Sequence, residues 1–225
     1  MRKAIVIFSG GQDSTTCLFW AIKKFDFVKA VTFDYDQRHI KEVEVAKSIT
    51  EKLKVPHQII KLPEIKNIIT TSSLTNIDIP IGKIHEKEYP NSFVPGRNLL
   101  FITYASIVAY QENIGDLVLG ASEADYSGYP DCRESFIKNS QETLKKAMDR
   151  NFKIHVPLIH LDKSEVWELA YDLGAYDFVI ENTLTCYNGI MSDGCGTCPA
   201  CKLRNKGLLE FEKRRYRYEI KKSSV

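Results

Sequence analysis

An α/β fold, a Rossmann-like parallel sheet with helices on both faces, is what this sequence predicts, and three observations predict it. The apolar run Ala4-Ile5-Val6-Ile7-Phe8 breaks at Ser9-Gly10-Gly11 into a helix-like stretch from Ser14 to Ala21. Strand and helix patterns then alternate, and such units require right-handed crossovers and a parallel sheet covered on both faces. At 225 residues, 44% hydrophobic and 27% charged, the chain fits one substantial domain with a small appendage.

The elements follow in order. Ala30-Val31-Thr32-Phe33 reads as a second strand, and 39–53 as a helix with Val43, Ala46, Ile49 and Leu53 on one face. Gln58-Ile59-Ile60 is a third strand. The stretch 62–95 lacks periodicity and holds four of the eight prolines, so it reads as an excursion or lid loop. Leu99 to Gln111 is an apolar helix, Asp116 to Gly120 a buried strand, and Ser135 to Met148 an amphipathic helix. Ile154-His155-Val156 is a short strand before Pro157. Asp162-Lys163-Ser164-Glu165 is a capping box opening a helix that runs to Leu173.

Chemistry concentrates first at Ser9-Gly10-Gly11-Gln12-Asp13-Ser14. Glycines let the backbone turn and bare its N–H groups, and the following helix adds its positive end. Ser9 and Ser14 add hydroxyl donors, and Asp13 adds a carboxylate able to hold Mg²⁺ against phosphate. The run is an anion cradle suited to a polyphosphate. A Walker loop is excluded, because the only Gly-Lys pair, Gly82-Lys83, precedes Ile84; a G-x-G-x-x-G fingerprint is absent as well.

The second concentration is Cys186, Cys195, Cys198 and Cys201, spaced C-x8-C-x2-C-x2-C, with Gly194 and Gly196 letting the backbone curl between them. Four soft thiolates without histidine fit a closed structural zinc site, and an iron–sulfur cluster is the rival. Pro199 and the short reach favour a compact zinc knuckle that pins the C-terminal segment. The expected division is therefore a nucleotide domain over 1–180 and a zinc module with a basic C-terminal helix or tail over 181–225.

Between these lie three further candidates. Arg97, after the Pro95-Gly96 turn and at a helix start, can fork onto phosphate oxygens, or simply face solvent. Lys163 stands in the first turn of a helix, where a cation opposes the dipole; that placement points to a compensating anion, the leaving pyrophosphate, with a merely exposed lysine as the plain alternative. The loop 120–133 follows a buried strand, at the sheet edge where ligands bind. There Glu123, Asp125 and Asp131 can accept from a guanine-like edge, Tyr129 can stack on it, and Arg133 can pair with a carboxylate. A plain polar loop is the bland alternative, and Cys132 has no histidine close in sequence to activate it.

Charge and targeting exclude other classes. From Lys202 onward nine Lys/Arg face three Glu, leaving the tail about +6 and the rest about −4. A solvated helical face explains such a tail more simply than RNA does, so no nucleic-acid partner is expected. No signal peptide is visible, and no stretch approaches the roughly 18 apolar residues of a membrane span. A cytoplasmic location is expected, with the six cysteines as thiols or ligands.

The opening run resembles the PP-loop of the ATP pyrophosphatases, which cleave ATP between the α- and β-phosphates. Taken in order with Phe93-Val94-Pro95-Gly96-Arg97-Asn98, Ser127 to Arg133, and Leu184-Thr185-Cys186-Tyr187-Asn188-Gly189 through Cys201, it is similar to the 7-cyano-7-deazaguanine synthase family of queuosine precursor biosynthesis. The resemblance spans Ala4 to about Gly207; 70–88 and the basic tail match nothing. It implies conversion of 7-carboxy-7-deazaguanine, ammonia and ATP to a nitrile through adenylated carboxylate and amide, with Mg²⁺, one structural Zn²⁺ and a homodimer. Phe8 to Ser14 with Arg97 would then bind ATP, and Ser9, Asp13, Ser14 and Lys163 would act in the reaction. The length leaves no room for a glutaminase domain, so free ammonia is the expected nitrogen source.

Two other readings stay open. A PP-loop tRNA-modifying enzyme, such as a thiolase, would use Cys132 or Cys17 to carry sulfur. A nucleotide sensor without catalysis would use the zinc knuckle to dock a partner.

Overall fold

The computed structural model describes residues 1–38, 41–81, 89–124 and 128–223. Five strands, β1 Lys3–Ile7, β2 Phe27–Asp34, β3 His57–Lys61, β4 Asp116–Leu119 and β5 Lys153–His155, form one sheet in the order β3-β2-β1-β4-β5. Every pairing is parallel. The alternation of strand and helix signals therefore has the outcome its chirality demands.

Side-chain alternation along β1 builds two cores. Ile5 and Ile7 point to a face covered by α3 (Glu64–Ile68), α4 (Arg97–Gln111) and α5 (Glu134–Met148), where Ile65, Ile102, Ala105 and Ile137 are buried with them. Ala4 and Val6 point to the opposite face, against Cys17, Leu18 and Ala21 of α1 (Gln12–Lys24), Ala46 and Ile49 of α2 (Lys41–Lys52) and Val166 of α6 (Lys163–Asp172). Outside that second layer, α7 (Tyr176–Asn182) and α8 (Pro199–Ser223) close a satellite core around Trp167, Val179 and Phe211.

Several local expectations are refined. The capping box forms as read: Asp162 accepts from the N–H groups of Ser164 and Glu165, and Glu165 accepts from Asp162 N–H. The described part of 62–95 is packed. It contains α3, and Ser72, Ser73, Asn91 and Ser92 are buried, tied by bonds such as Ser73 N–H to Asn91 O and the Arg38 guanidinium to the carbonyls of Ser73 and Ile79. Short polar runs of this kind carry no period, so only packing reveals them. The basic tail is helical through 223. Arg214 pairs with Glu168, and the Arg215 guanidinium lies 4.7 Å from the Tyr171 ring centre, so part of its charge serves the contact with α6.

Candidate active site

The strand order reverses between β1 and β4, and in open α/β sheets the crevice beyond that switch point receives ligands. The loop Phe8–Gly11 leaves β1 there. Phe8 belongs to the core: its side chain is buried, its N–H donates to Val31 O, and its carbonyl accepts from Thr32 Oγ1. It forms the floor of the loop. Gly10 has φ +78°, and Gly11 caps α1 without a side chain. Ser9 and Ser14 brace each other, with their Oγ atoms 3.1 Å apart, Ser9 N–H donating to Ser14 Oγ, and Ser14 Oγ donating to Gly11 O.

Asp13 and Lys163, expected to serve a metal and pyrophosphate separately, meet each other. Lys163 Nζ lies 2.9 Å from both Asp13 carboxylate oxygens, and Lys163 is only 8% exposed. The plain reading of Lys163 as an exposed lysine is thus excluded. The capping box places this lysine at the first residue of α6, which aims it at the start of α1. Cys17, one turn into α1, is buried; burial first, and Asp13 second, push its thiol well above the usual range, against a smaller opposing effect of Lys163. A thiol so held is a poor nucleophile.

The cysteine segment reaches the same loop. Leu184 N–H donates to Gly10 O, and Gln12 N–H donates to Thr185 Oγ1. Arg204 of α8, buried, donates to Thr183 Oγ1, Thr185 Oγ1 and the carbonyls of Val179 and Ile180. Gln12 is 1% exposed, and its side-chain amide has no hydrogen-bond partner among the described residues.

The Sγ atoms of Cys186, Cys195, Cys198 and Cys201 lie within 4.8 Å of one another, and Cys195 Sγ is 3.9 Å from Cys201 Sγ. Tetrahedral zinc–thiolate bonds of about 2.3 Å imply sulfur separations of roughly 3.8 Å, so the donor set fits zinc. Gly194 has φ +69°, and a Cβ there would stand 2.3 Å from Cys201 Sγ, so only glycine closes the turn. The Thr197 hydroxyl and the N–H groups of Cys198 and Thr197 hold the Cys195 thiol well below its usual range, whereas burial raises Cys198 and Cys201.

A second cluster lies around Arg97 at the start of α4. Burial alone would lower this guanidinium; Tyr35, Asp131 and Cys132 outweigh it and hold the charge firmly. Tyr129 OH is 2.7 Å from Ser92 Oγ, its ring centre is 5.3 Å from that of Phe93, and Phe93 in turn is 5.2 Å from Tyr89. Tyr187, from the cysteine segment, also bonds to Ser92; burial above all raises its hydroxyl. Glu42 of α2 joins from the other side. Burial raises its carboxyl to about 7, against the lowering effects of Arg97 and a hydrogen bond with Gln37.

The loop 120–133 divides its expected roles. Asp131 is 7% exposed; Oδ2 accepts from Asn98 N–H at the start of α4, and Asn98 Nδ2 donates to Asp131 O. Glu123 Oε2 accepts from Glu134 N–H at the start of α5. Both carboxylates thus cap helices. Arg133 is exposed at the N-cap of α5, and Asp125 lies outside the described residues. Sequence reasoning missed Ser92, Tyr187, Glu42 and Arg204. The first two stand in or beside quoted motifs, while Glu42 and Arg204 carry no local signal.

With this geometry, the comparisons become decisive. Residues 3–212 match the family model described as queuosine biosynthesis protein QueC. The chain belongs to this family. It is 56% identical over 213 residues to a 7-cyano-7-deazaguanine synthase of Clostridium botulinum (strain 657 / Type Ba4), covering 94% of this chain and 97% of the relative. It is 55% identical over 210 residues to the synthase of the same name from Bacillus subtilis (strain 168), covering 93% and 95%. Among solved structures, a 4-thiouridine synthetase in complex with RNA and bound ATP aligns with a TM-score of 0.52 at 18% identity, over 94% of this chain and 50% of that one. That likeness concerns the fold alone. Among the described residues, no helix is long and apolar enough to cross a membrane.

Proposed function

We propose that this chain converts 7-carboxy-7-deazaguanine, ammonia and two ATP to 7-cyano-7-deazaguanine, two AMP and two pyrophosphates. The observation that carries the proposal is the junction at the switch point. The PP-loop and its Asp13–Lys163 pair, the Ser92–Tyr129–Tyr187–Arg97 cluster and the four-cysteine segment adjoin through Leu184, Thr185 and Tyr187.

The steps follow from the leaving groups. A carboxylate resists ammonia because it would expel oxide. Its oxygen attacks the α-phosphorus of ATP, and pyrophosphate departs. Ammonia then adds to the acyl carbon, AMP leaves with the former carboxylate oxygen, and a proton is shed to give the amide. The amide oxygen attacks a second α-phosphorus; loss of AMP and two protons leaves the nitrile. Each departure builds charge on pyrophosphate, which the loop N–H groups, Ser9, Ser14 and Lys163 stabilise. Asp13 would hold Mg²⁺, whose contribution is to neutralise phosphate charge. Release of Lys163 from Asp13 then leaves its ammonium for the pyrophosphate.

Tyr129 and Phe93 offer faces for the deazaguanine plane, with Tyr187 beside them. Arg97 takes the phosphate side of the adenylate, and Arg133 the free carboxylate at the mouth. The carboxylates of Glu123, Asp125 and Asp131 would accept from the ring and amino N–H groups of the base edge, although Glu123 and Asp131 also accept from helix N–H groups. Cys186, Cys195, Cys198 and Cys201 would hold one Zn²⁺, which fixes the C-terminal module of 181–225 against the 1–180 domain. A homodimer in the cytoplasm completes the reading; light scattering of the purified protein tests the dimer.

The thiolase alternative is disfavoured by Cys17, whose buried, raised thiol is unsuited to carrying sulfur. Mass spectrometry of a reaction with ATP, Mg²⁺, ammonium and 7-carboxy-7-deazaguanine tests the proposal. Nitrile with twofold AMP is expected; amide as the end product would remove the second activation, and no turnover by folded, metal-loaded protein would overturn it.

A further inference from the structure

We infer that Gly207, in the middle of α8, is a positioning residue that seats the stem of Lys163; the inference rests on the reading of Lys163 as the pyrophosphate-facing cation. Gly207 is buried, and its φ is not among the positive values that would require glycine for backbone reasons. Glycine inside a helix is unfavourable relative to alanine, so its presence needs another cause. That cause is contact. A Cβ at position 207 would lie 2.7 Å from both C and Cβ of Lys163 and 2.8 Å from its Cγ. Ordinary carbon contacts are about 3.5–4.0 Å, so backbone or stem would have to move.

The neighbouring residues of α8 show that the helix cannot simply lift away. One turn earlier, Arg204 O accepts from Trp167 Nε1 at 3.2 Å, and the Arg204 guanidinium lies 5.4 Å from the Trp167 ring centre. One turn later, Phe211 is buried with Trp167 and Val179. Residues 204, 207, 208 and 211 thus form the face that α8 lays on α6. Lysine has a long, flexible stem. The bare backbone at Gly207 walls this stem at Cβ and Cγ, while the ammonium reaches Asp13 150 positions away in sequence. Cys201 stands six residues earlier on the same helix, about 9 Å along its axis, so the knuckle that fixes the start of α8 also fixes this wall.

The test compares Gly207→Ala, Lys163→Ala, the double variant and the exposed-face control Leu209→Ala, all as full-length, metal-loaded protein. Pyrophosphate release and the KM for ATP are the readouts. Gly207→Ala is expected to lower kcat about 100-fold, the scale of an ångström misplacement, with KM for ATP changed less than about threefold. Leu209→Ala should match the wild type. In the Lys163→Ala background, the Gly207→Ala effect should vanish, because the group it positions is gone. A Gly207→Ala kcat within about twofold of wild type, or an undiminished drop without Lys163, would overturn the inference. Wild-type kcat in Lys163→Ala would instead sink the catalytic reading of that lysine. If Gly207→Ala does not fold, Leu208→Ala, which loosens the same face, decides: a several-fold loss in kcat at constant KM supports the seat, and no loss removes it.

Discussion

Lys163 Nζ bridges the two carboxylate oxygens of Asp13 at 2.9 Å each, joining the start of α6 to the start of α1 across the mouth of the phosphate loop. Of the two groups, only the lysine sits against the preference of its helix terminus. A cation at a helix N-terminus is disfavoured, an anion favoured, and their pairing offsets the mismatch. On the proposed function, the pair is also the point at which ATP and its metal would enter.

Asp13→Asn should therefore separate structure from chemistry. The amide keeps an acceptor for Lys163, so the protein stays folded with a modestly lower Tm. AMP formation should fall by about 10²–10³-fold, the scale on which loss of one charge-stabilising group is felt. A near-normal rate in a coupled AMP assay would remove Asp13 from the metal role.

Cys198→Ser tests the knuckle. Structural zinc contributes folding energy directly, so the variant should lose metal and roughly 10 °C of Tm. Elemental analysis of the native protein is expected to give one zinc per chain. Iron in its place would replace the site with the rival cluster.

The two arginines of the substrate region should respond differently. Arg133→Ala should raise KM for the carboxylated substrate about tenfold and leave KM for ATP unchanged, as loss of one charged hydrogen-bond partner predicts. Equal effects on both substrates would move Arg133 to the nucleotide. Arg97→Lys keeps the charge but loses the planar fork, so kcat should fall with little change in either KM.

Glu42 supplies a pH dependence of stability. Its folded pKa, raised to about 7, lies above the unfolded carboxylate value, so the folded state binds more protons between them. The stability this group contributes is complete below about pH 4.3 and is lost as pH rises through about 7. Glu42→Gln should accordingly raise Tm relative to wild type more at pH 8 than at pH 5. An equal difference at both values would show that the carboxyl titrates normally.

The sequence by itself determined whatever is written within one turn or one loop. The run from Ser9 to Ser14, the capping box at Asp162, the alternation that makes a parallel sheet and the cysteine spacing are local patterns with local causes. Packing decided the rest. Lys163 finds Asp13, Arg97 finds Tyr35 and Asp131, and Gly207 finds the Lys163 stem only when elements far apart in the chain are laid together. The carboxylates of Glu123 and Asp131 also accept from first-turn N–H groups of α5 and α4, and a carboxylate so placed has the same local sequence as one that faces a ligand. Which N–H group it accepts from depends on where α4 and α5 begin in space, and no spacing along the loop encodes that.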